Sequence, residues 1–167
     1  SYFAVLAGRQ WIEEIARLSA DVDVASEFRY REPPTIPGSL GLLDGALVSS
    51  FTTGAAPAGT IALQAAGLLR IEGGSHVEGS TIGSGAAGSL NVQGGEVRIG
   101  NATLNSSTLG QGAAGQIEVQ AGGLLELGAG ALISAVAGDE SAGQTGSIAL
   151  MAGERLLMQR SQASINN

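Results

Sequence analysis

The chain has 167 residues, enough for one domain with a buried core, and a formal net charge of −7 with every positive charge on Arg. An acidic chain without a basic cluster argues against nucleic acid and anionic membrane surfaces as partners. It has no Cys, which excludes disulfides and thiolate metal sites, and no apolar run reaches the about 18 residues of a membrane-spanning helix.

Composition also restricts the core. Gly occurs 27 times, aromatic residues make up only 4%, and none of them follows Phe51. Beyond that point the core must be closed by Ile, Leu, Val and Ala, which favours narrow and regular layers. The chain begins with Ser rather than Met, so a larger parent protein is expected.

Residues 1–37 differ from the rest and are predicted to form an N-terminal cap or linker. Residues 11–18 place Ile12, Ile15 and Leu18 on one side of a short amphipathic helix. A short alternating strand follows, and the proline-containing stretch 31–37 predicts an extended linker. Two placements are open: the segment covers an open end of the following domain, or its helix packs on the outside of a sheet.

Residues 38–167 contain an internal repeat marked by glycine-rich knots. The knots end at Gly59, Gly88, Gly115 and Gly146, so successive repeats are 29, 27 and 31 residues long. A fixed period of this size is the signature of a solenoid, in which each unit buries its apolar face against its neighbours.

Each repeat carries three short stretches of alternating apolar residues, typical of half-buried strands. The first stretch is Ile61/Leu63, Leu90/Val92, Ile117/Val119 and Ile148/Leu150. The second is Leu69/Ile71, Val97/Ile99, Leu125/Leu127 and Leu156/Met158, preceded by Leu40/Leu42. The third is Val77, Leu104, Ile133 and Ile165, preceded by Val48.

These observations predict an all-β fold, a right-handed parallel β-helix with three short strands per coil and about 27–31 residues per coil. Residues 38–167 form the β-helix, with the short N-terminal helix and strand as its cap. Glycine at the corners permits the tight turns. A leucine-rich-repeat type of solenoid is disfavoured because no window after residue 38 shows helical periodicity, and a two-sheet sandwich would not require such regular spacing.

The units at 83–95 and 110–122 resemble the repeats of filamentous haemagglutinin-like exoproteins, the large two-partner-secretion proteins of cyanobacteria and other Gram-negative bacteria. Segments 42–50 and 128–134 resemble the second half of the same unit. The resemblance covers roughly 38–167 and implies secretion across the outer membrane and a role in adhesion or surface structure. The secretion-signal domain of that family has no clear counterpart here.

The sequence offers little for catalysis, and we predict no catalytic residue, no cofactor and no metal site. His76 is the single histidine and is expected to point outward beside the core position Val77. Stacking of the repeats places Glu72 over Gly and Glu118 over Asn and Ala, so carboxylates do not pair as glycoside hydrolysis requires. A Ser–Thr row at 80–81 and 107–108 would be broken by 134–135 in the next coil, which disfavours ice binding.

One candidate binding feature remains, a surface ladder of Arg70, Arg98 and Glu126. Each residue precedes a core position of the second strand, so all three are expected on one outward face, one coil apart. At about 4.8 Å per coil, Arg98 reaches Glu126 while Arg70 faces a like charge. The ladder is either a stripe that binds anions or glycans, or a solvated face with one ion pair.

The function expected from these features is a structural or adhesive module of a secreted or cell-surface exoprotein. Its expected partners are further coils of a longer β-helix or other copies of itself, and host-cell or matrix glycans, with neither nucleic acid binding nor membrane insertion. Its expected location is extracellular or on the outer cell surface. The alternative function is a carbohydrate-binding or carbohydrate-active β-helix domain whose catalytic residues lie outside this sequence.

Overall fold

The structure, a computed structural model, describes residues 38–138 and 144–165. All regular structure in these residues is β-strand, wound into a parallel β-helix of about four coils. The predicted fold class is thereby confirmed, while the right hand of the coils stays a prediction. The predicted cap at 1–37 lies outside the described residues, and those residues contain no helix able to cross a membrane.

The coils follow the glycine knots. A partial coil (40–59) precedes coil 1 (60–88), coil 2 (89–115), coil 3 (116–146) and coil 4 (147–165). The strands are β1 (Leu40–Leu42), β2 (Leu47–Ser49), β3 (Thr60–Ile71), β4 (Ser75–Glu78), β5 (Ser89–Ile99), β6 (Ala102–Asn105), β7 (Gln116–Ala121), β8 (Leu124–Leu127), β9 (Ala131–Ser134), β10 (Ser147–Ala152), β11 (Arg155–Met158) and β12 (Gln162–Ser164).

Two parallel sheets build the wall. The larger one runs β1-β3-β5-β7-β10 and also contains β8 and β11, and the smaller one runs β12-β9-β6-β4-β2. In coils 1 and 2 the predicted first and second strands are continuous, as β3 and β5, and bend around the first corner. In coils 3 and 4 they are separate strands.

The predicted columns are in register. Ile61, Leu90, Ile117 and Ile148 pair directly from coil to coil, as does the second-strand series from Leu40/Leu42 to Leu156/Met158. The first three members of the Ile61 column are buried, and Ile148 in coil 4 is half-buried against the same core. The predicted interior column is confirmed.

One core assignment is wrong. The third-strand column runs Val48, Val77, Leu104 and Ile133 and then continues to Ala163, not to the predicted Ile165. Met158 pairs with Leu127 and Gln162 with Leu132, so the second corner of coil 4 is one residue shorter than that of coil 3, and Ala163 takes the inward position. Ile165 instead follows the last paired residue of β12 and is exposed.

Differences in coil length are confined to the corners. Ala65 pairs with Gly94 and Leu68 with Glu96, so coil 1 has one more residue than coil 2 at the first corner. At the second corner, three residues (128–130) follow β8 where two (100–101) follow β5. The strands themselves stay aligned, because a one-residue slip within a strand would turn its apolar side chains outward.

Candidate functional site

The surface of the β-helix has a charged side, formed by the second strands and the turns that flank them. Apart from Glu78 and Glu118, every Asp, Glu and Arg of the described residues lies there. The set consists of Asp44, Arg70, Glu72, Glu96, Arg98, Glu126, Glu154, Arg155 and Arg160.

The predicted ladder lies on this charged side. Arg70 pairs in register with Arg98, and Arg98 pairs with Glu126, so the three residues form one outward row. Nε of Arg98 is 3.7 Å from Oε2 of Glu126, which is ion-pair distance but beyond hydrogen-bond range. The geometry expected from the sequence is confirmed, including the like-charge neighbours Arg70 and Arg98.

Each arginine of the ladder already has a carboxylate partner. Nη2 of Arg70 donates to Glu72 at 2.5 Å, and Nη2 of Arg98 lies 3.4 Å from Glu96. Glu72 follows Arg70 by two residues on the same outward face, which relieves the repulsion between the stacked arginines. The row therefore presents a neutralised surface and not an open cationic stripe for an anion.

The residues weighed for catalysis are dispersed. His76 is exposed on the outward side of β4, where its register neighbours are Leu47 and Thr103. Glu118 pairs with Asn91 and Ala149. Within 38–138 and 144–165, no three Asp, Glu or His side chains lie close enough together to hold a metal ion.

A column of threonines closes the third corner. Thr52, Thr81 and Thr108 pair in register, and Ala137 continues the column, so the predicted continuation through Ser134–Ala135 is wrong. The prediction assumed that coil 3 has the same length as coil 2. Between the first and the third strand, however, coil 3 is two residues longer than coil 2, and the extra residues lie at its corners.

These threonines point inward and not to the solvent. Thr81 and Thr108 are buried, and the hydroxyl of Thr81 accepts a hydrogen bond from the N–H of Gly83 at 3.1 Å. Thr108 does the same for Gly110 at 3.2 Å. The hydroxyls therefore satisfy backbone groups of the turn, and this row offers no flat threonine surface to ice.

The third corner also carries the feature that the sequence analysis missed. Three of its loops, 51–59, 80–88 and 107–115, contain no charged residue and are here called the loop corner; the coil 3 sequence that follows Ala137 contains Asp139 and Glu140, which lie outside the described residues. On it, Phe51, Ile82 and Leu109 are 46%, 51% and 70% exposed, and these three residues form the apolar ridge. For Ile82 and Leu109 the signal was present as a large apolar residue directly after a threonine and before a glycine, outside the strand columns, whereas Phe51 lies directly before its threonine, Thr52.

A second exposed apolar surface lies at coil 4, the last coil that the structure describes. Leu156 and Met158 occupy the inward columns of Leu125 and Leu127, yet they are 43% and 48% exposed where the coil 3 residues are fully buried. No further strand of the described residues pairs with β10, β11 or β12 on that side. We call this surface the coil 4 edge.

Coils, register and columns together define the class of the protein as a parallel β-solenoid. No protein-family profile matches the chain, and no solved structure matches it. Stretches of it are similar to curated glutamine–fructose-6-phosphate aminotransferases: 49% identity over 43 residues in Gluconobacter oxydans, 62% over 34 residues in Bartonella henselae and 55% over 42 residues in Rhizobium meliloti.

These matches are partial on both sides. They cover 26%, 20% and 25% of this chain and 7%, 6% and 7% of those proteins. The chain thus spans well under a tenth of the length of these relatives, and the similarity assigns neither their family nor their activity to it. These matches say nothing about the resemblance to filamentous haemagglutinin-like repeats, which stays a prediction.

Proposed function

We propose that this chain is a structural and adhesive module of a secreted or cell-surface exoprotein, in line with the filamentous haemagglutinin-like resemblance of its repeats. One observation carries the proposal: the coils stack in register, and the same apolar columns run from coil to coil through the described residues. A stack of this kind extends by one coil thickness of about 4.8 Å per repeat, which suits a spacer better than an enzyme.

The coil 4 edge also gives the module a way to associate end to end. Strands of an open edge offer unpaired backbone groups, and Leu156 and Met158 offer apolar surface beside them. A further coil of the same kind, supplied by another copy or by continuation of a longer β-helix, would bury both. Self-association through this edge, or continuation of the stack beyond it, is therefore part of the proposed function.

Sedimentation velocity at increasing concentration tests this association. We expect the unmodified chain to form species larger than the monomer, and Met158→Arg to abolish them, because Met158 lies in an inward column and a charge there cannot be covered. Met151→Arg is the matched control, since Met151 is also a methionine of coil 4, is 40% exposed, and sits in the outward row that continues Gln120. A chain that stays monomeric at high concentration, or equal effects of the two changes, contradicts the association.

The adhesive part has support in the outward rows of the first strands. Gln64, Gln93 and Gln120 pair in register and are exposed, giving a row of side-chain amides along the axis. Amides both donate and accept hydrogen bonds, as recognition of sugar hydroxyls requires. Binding to neutral matrix glycans on an array, weakened in a Gln93→Ala/Gln120→Ala variant, is the expected result. If the chain binds no glycan on this array, the adhesive part of the proposal is wrong.

The module is proposed to have no catalytic activity of its own. Glu72, Glu96 and Glu126 are engaged by arginines, so these carboxylates do not form a free acid–base pair. Incubation of the pure chain with pectin or alginate is expected to leave both polymers uncut. Measurable cleavage would favour the carbohydrate-active alternative.

A further inference from the structure

Coil 2 carries a short motif, at two places, that the proposed function does not use. Residues 101–103 read Asn-Ala-Thr and residues 105–107 read Asn-Ser-Ser. Both have the form Asn-x-Ser/Thr without a central Pro, which is the acceptor sequence for an N-linked sugar. The sequence does not distinguish the two asparagines, so the comparison depends on their surroundings in the folded chain.

The amide of Asn105 is engaged by neighbouring side chains. Asn105 belongs to β6 and is half-buried; its Nδ2 donates to Oγ of Ser80 in coil 1 at 3.0 Å, and its Oδ1 accepts from the hydroxyl of Ser107 at 2.6 Å. The hydroxyl of Ser107 in turn accepts from the N–H of Val136 in coil 3 at 3.1 Å. A sugar on Asn105 would break this network across three coils and leave partly buried polar groups without partners, which destabilises the fold.

Asn101 lies in an open place, the two-residue turn of the second corner between β5 and β6, where it is exposed. At the same place in the neighbouring coils, directly before β4 and β9, the residues are Gly74 and Gly130, which have no side chain. A Cβ built at Gly74 would meet no atom within 4 Å. The N–H of Gly74 also donates to the carbonyl of Asn101 at 2.6 Å, so the turn is fixed in place while the space beside its side chain is free.

The hydroxyl residue of the first motif is accessible as well. Thr103 is half-buried on the outward side of β6, between His76 of coil 1 and Leu132 of coil 3, and its two neighbours in the strand point inward. An enzyme that approaches the second corner therefore meets an exposed amide at Asn101 and the outward residue Thr103 two positions later.

We propose that Asn101 is the acceptor of an N-linked sugar. The donor is an activated hexose whose anomeric carbon is bonded to a phosphate, as in a nucleotide sugar. Nδ2 of Asn101 forms a bond to the anomeric carbon, the bond between that carbon and the phosphate oxygen breaks with its electron pair going to the phosphate, and a base of the transferase takes one amide proton. This modification goes beyond the proposed function, because it uses the second corner of coil 2 and leaves both the coil 4 edge and the outward rows of the first strands open.

The first test incubates the pure folded chain with a soluble asparagine glycosyltransferase and UDP-glucose. We expect mass spectrometry to find one hexose per chain, at Asn101. Asn101→Gly, which accepts the φ of 44° without strain, and Thr103→Ala should each abolish incorporation, and Thr103→Ser should restore it. Asn105→Asp, which keeps the acceptor for the Ser107 hydroxyl, is the matched control and should leave incorporation unchanged. A folded chain that takes up no hexose, or takes it up at Asn105, overturns the assignment.

The second test uses the chain recovered from the cell that makes it. Neither Lys nor Arg lies between Arg98 and Arg155, so trypsin releases both asparagines in one peptide, 99–155, whose fragmentation distinguishes them. We expect a sugar on Asn101 and none on Asn105. An unmodified Asn101 throughout this material overturns the proposal, and it leaves the association and glycan binding of the proposed function standing, because neither of them uses the second corner.

Discussion

Coils 3 and 4 carry the same kinds of residues at the same positions, yet they differ in how well they are buried. Leu125 and Leu127 in coil 3 are 0% exposed, while Leu156 and Met158, their register partners in coil 4, are 43% and 48% exposed. The first and second strands of the two coils are paired residue for residue. The difference is that, within the part of the chain that the structure describes, coil 3 has a neighbouring coil on both sides and coil 4 has one on a single side.

Burial in this fold is thus a property of the stack and not of the single coil. A coil has only one layer of inward side chains, and that layer is covered by the coils on either side of it. The stability contributed by a given leucine therefore depends on its position along the axis more than on its own strand. The following predictions test that dependence.

The largest expected effect separates the two coils directly. Leu125→Ala should lower the free energy of unfolding by about 2–5 kcal/mol, because it opens a cavity between two covered layers. Leu156→Ala should lower it by about 1 kcal/mol, since the side chain it removes is already half in water. Urea denaturation of the two variants measures the difference. Equal losses of unfolding free energy would contradict the dependence of stability on the position of the leucine along the stack.

Substitution of a glycine tests how closely the coils approach at the loop corner. A Cβ at Gly115 would overlap the carbonyl oxygen of Gly88 and the hydroxyl of Ser106, so Gly115→Ala should cost about 1–3 kcal/mol through forced separation of the coils. Gly100→Ala is the matched control, because a Cβ there meets no atom within 4 Å. Thermal unfolding of both variants is the measurement; a Gly115 variant as stable as the Gly100 variant would mean that the coils can spread at no cost.

The smallest expected effect concerns the ladder on the charged side. Arg98 and Glu126 are partly exposed, so a double-mutant cycle with Arg98→Ala and Glu126→Ala should give a coupling of about 0.2–1 kcal/mol. The coupling should vanish in 1 M salt, because exposed charges are then screened. A larger, salt-resistant coupling would show that coil-to-coil contacts on the surface matter as much as the interior columns.

Much of this fold could be read from the sequence because the register rests on repeated apolar pairs. The positions Leu90, Ile117 and Ile148 follow their glycine knots at constant spacing, and the structure pairs them as predicted. The ladder followed from the same alignment, since outward residues adjoin the inward ones. Prediction failed where spacing varied: Ile165 was predicted for the third column, but the second corner of coil 4 is one residue shorter than that of coil 3, so Ala163 pairs with Ile133 instead.

The candidate surfaces were harder to predict than the core. A threonine followed by an apolar residue, as in Thr81–Ile82, does not reveal which of the two points inward. The hydrogen bond between the Thr81 hydroxyl and Gly83 decides it, by turning the threonine in and leaving Ile82 in the solvent. Such a decision depends on backbone groups of the turn, which a hydrophobic pattern does not describe.

Because differences in coil length are confined to the corners, strands and corners tolerate different kinds of sequence change. Strands tolerate exchange of one aliphatic residue for another but not a gain or loss of a residue, whereas the second corner already exists in two-residue and three-residue versions at 100–101 and 128–130. A foreign peptide inserted at 128–130 should therefore leave the frame intact and project from the wall. Inserts placed at the same corner in successive coils would project from the wall at a spacing of about 4.8 Å. The solenoid would then serve as a scaffold that displays peptides at a fixed distance from one another.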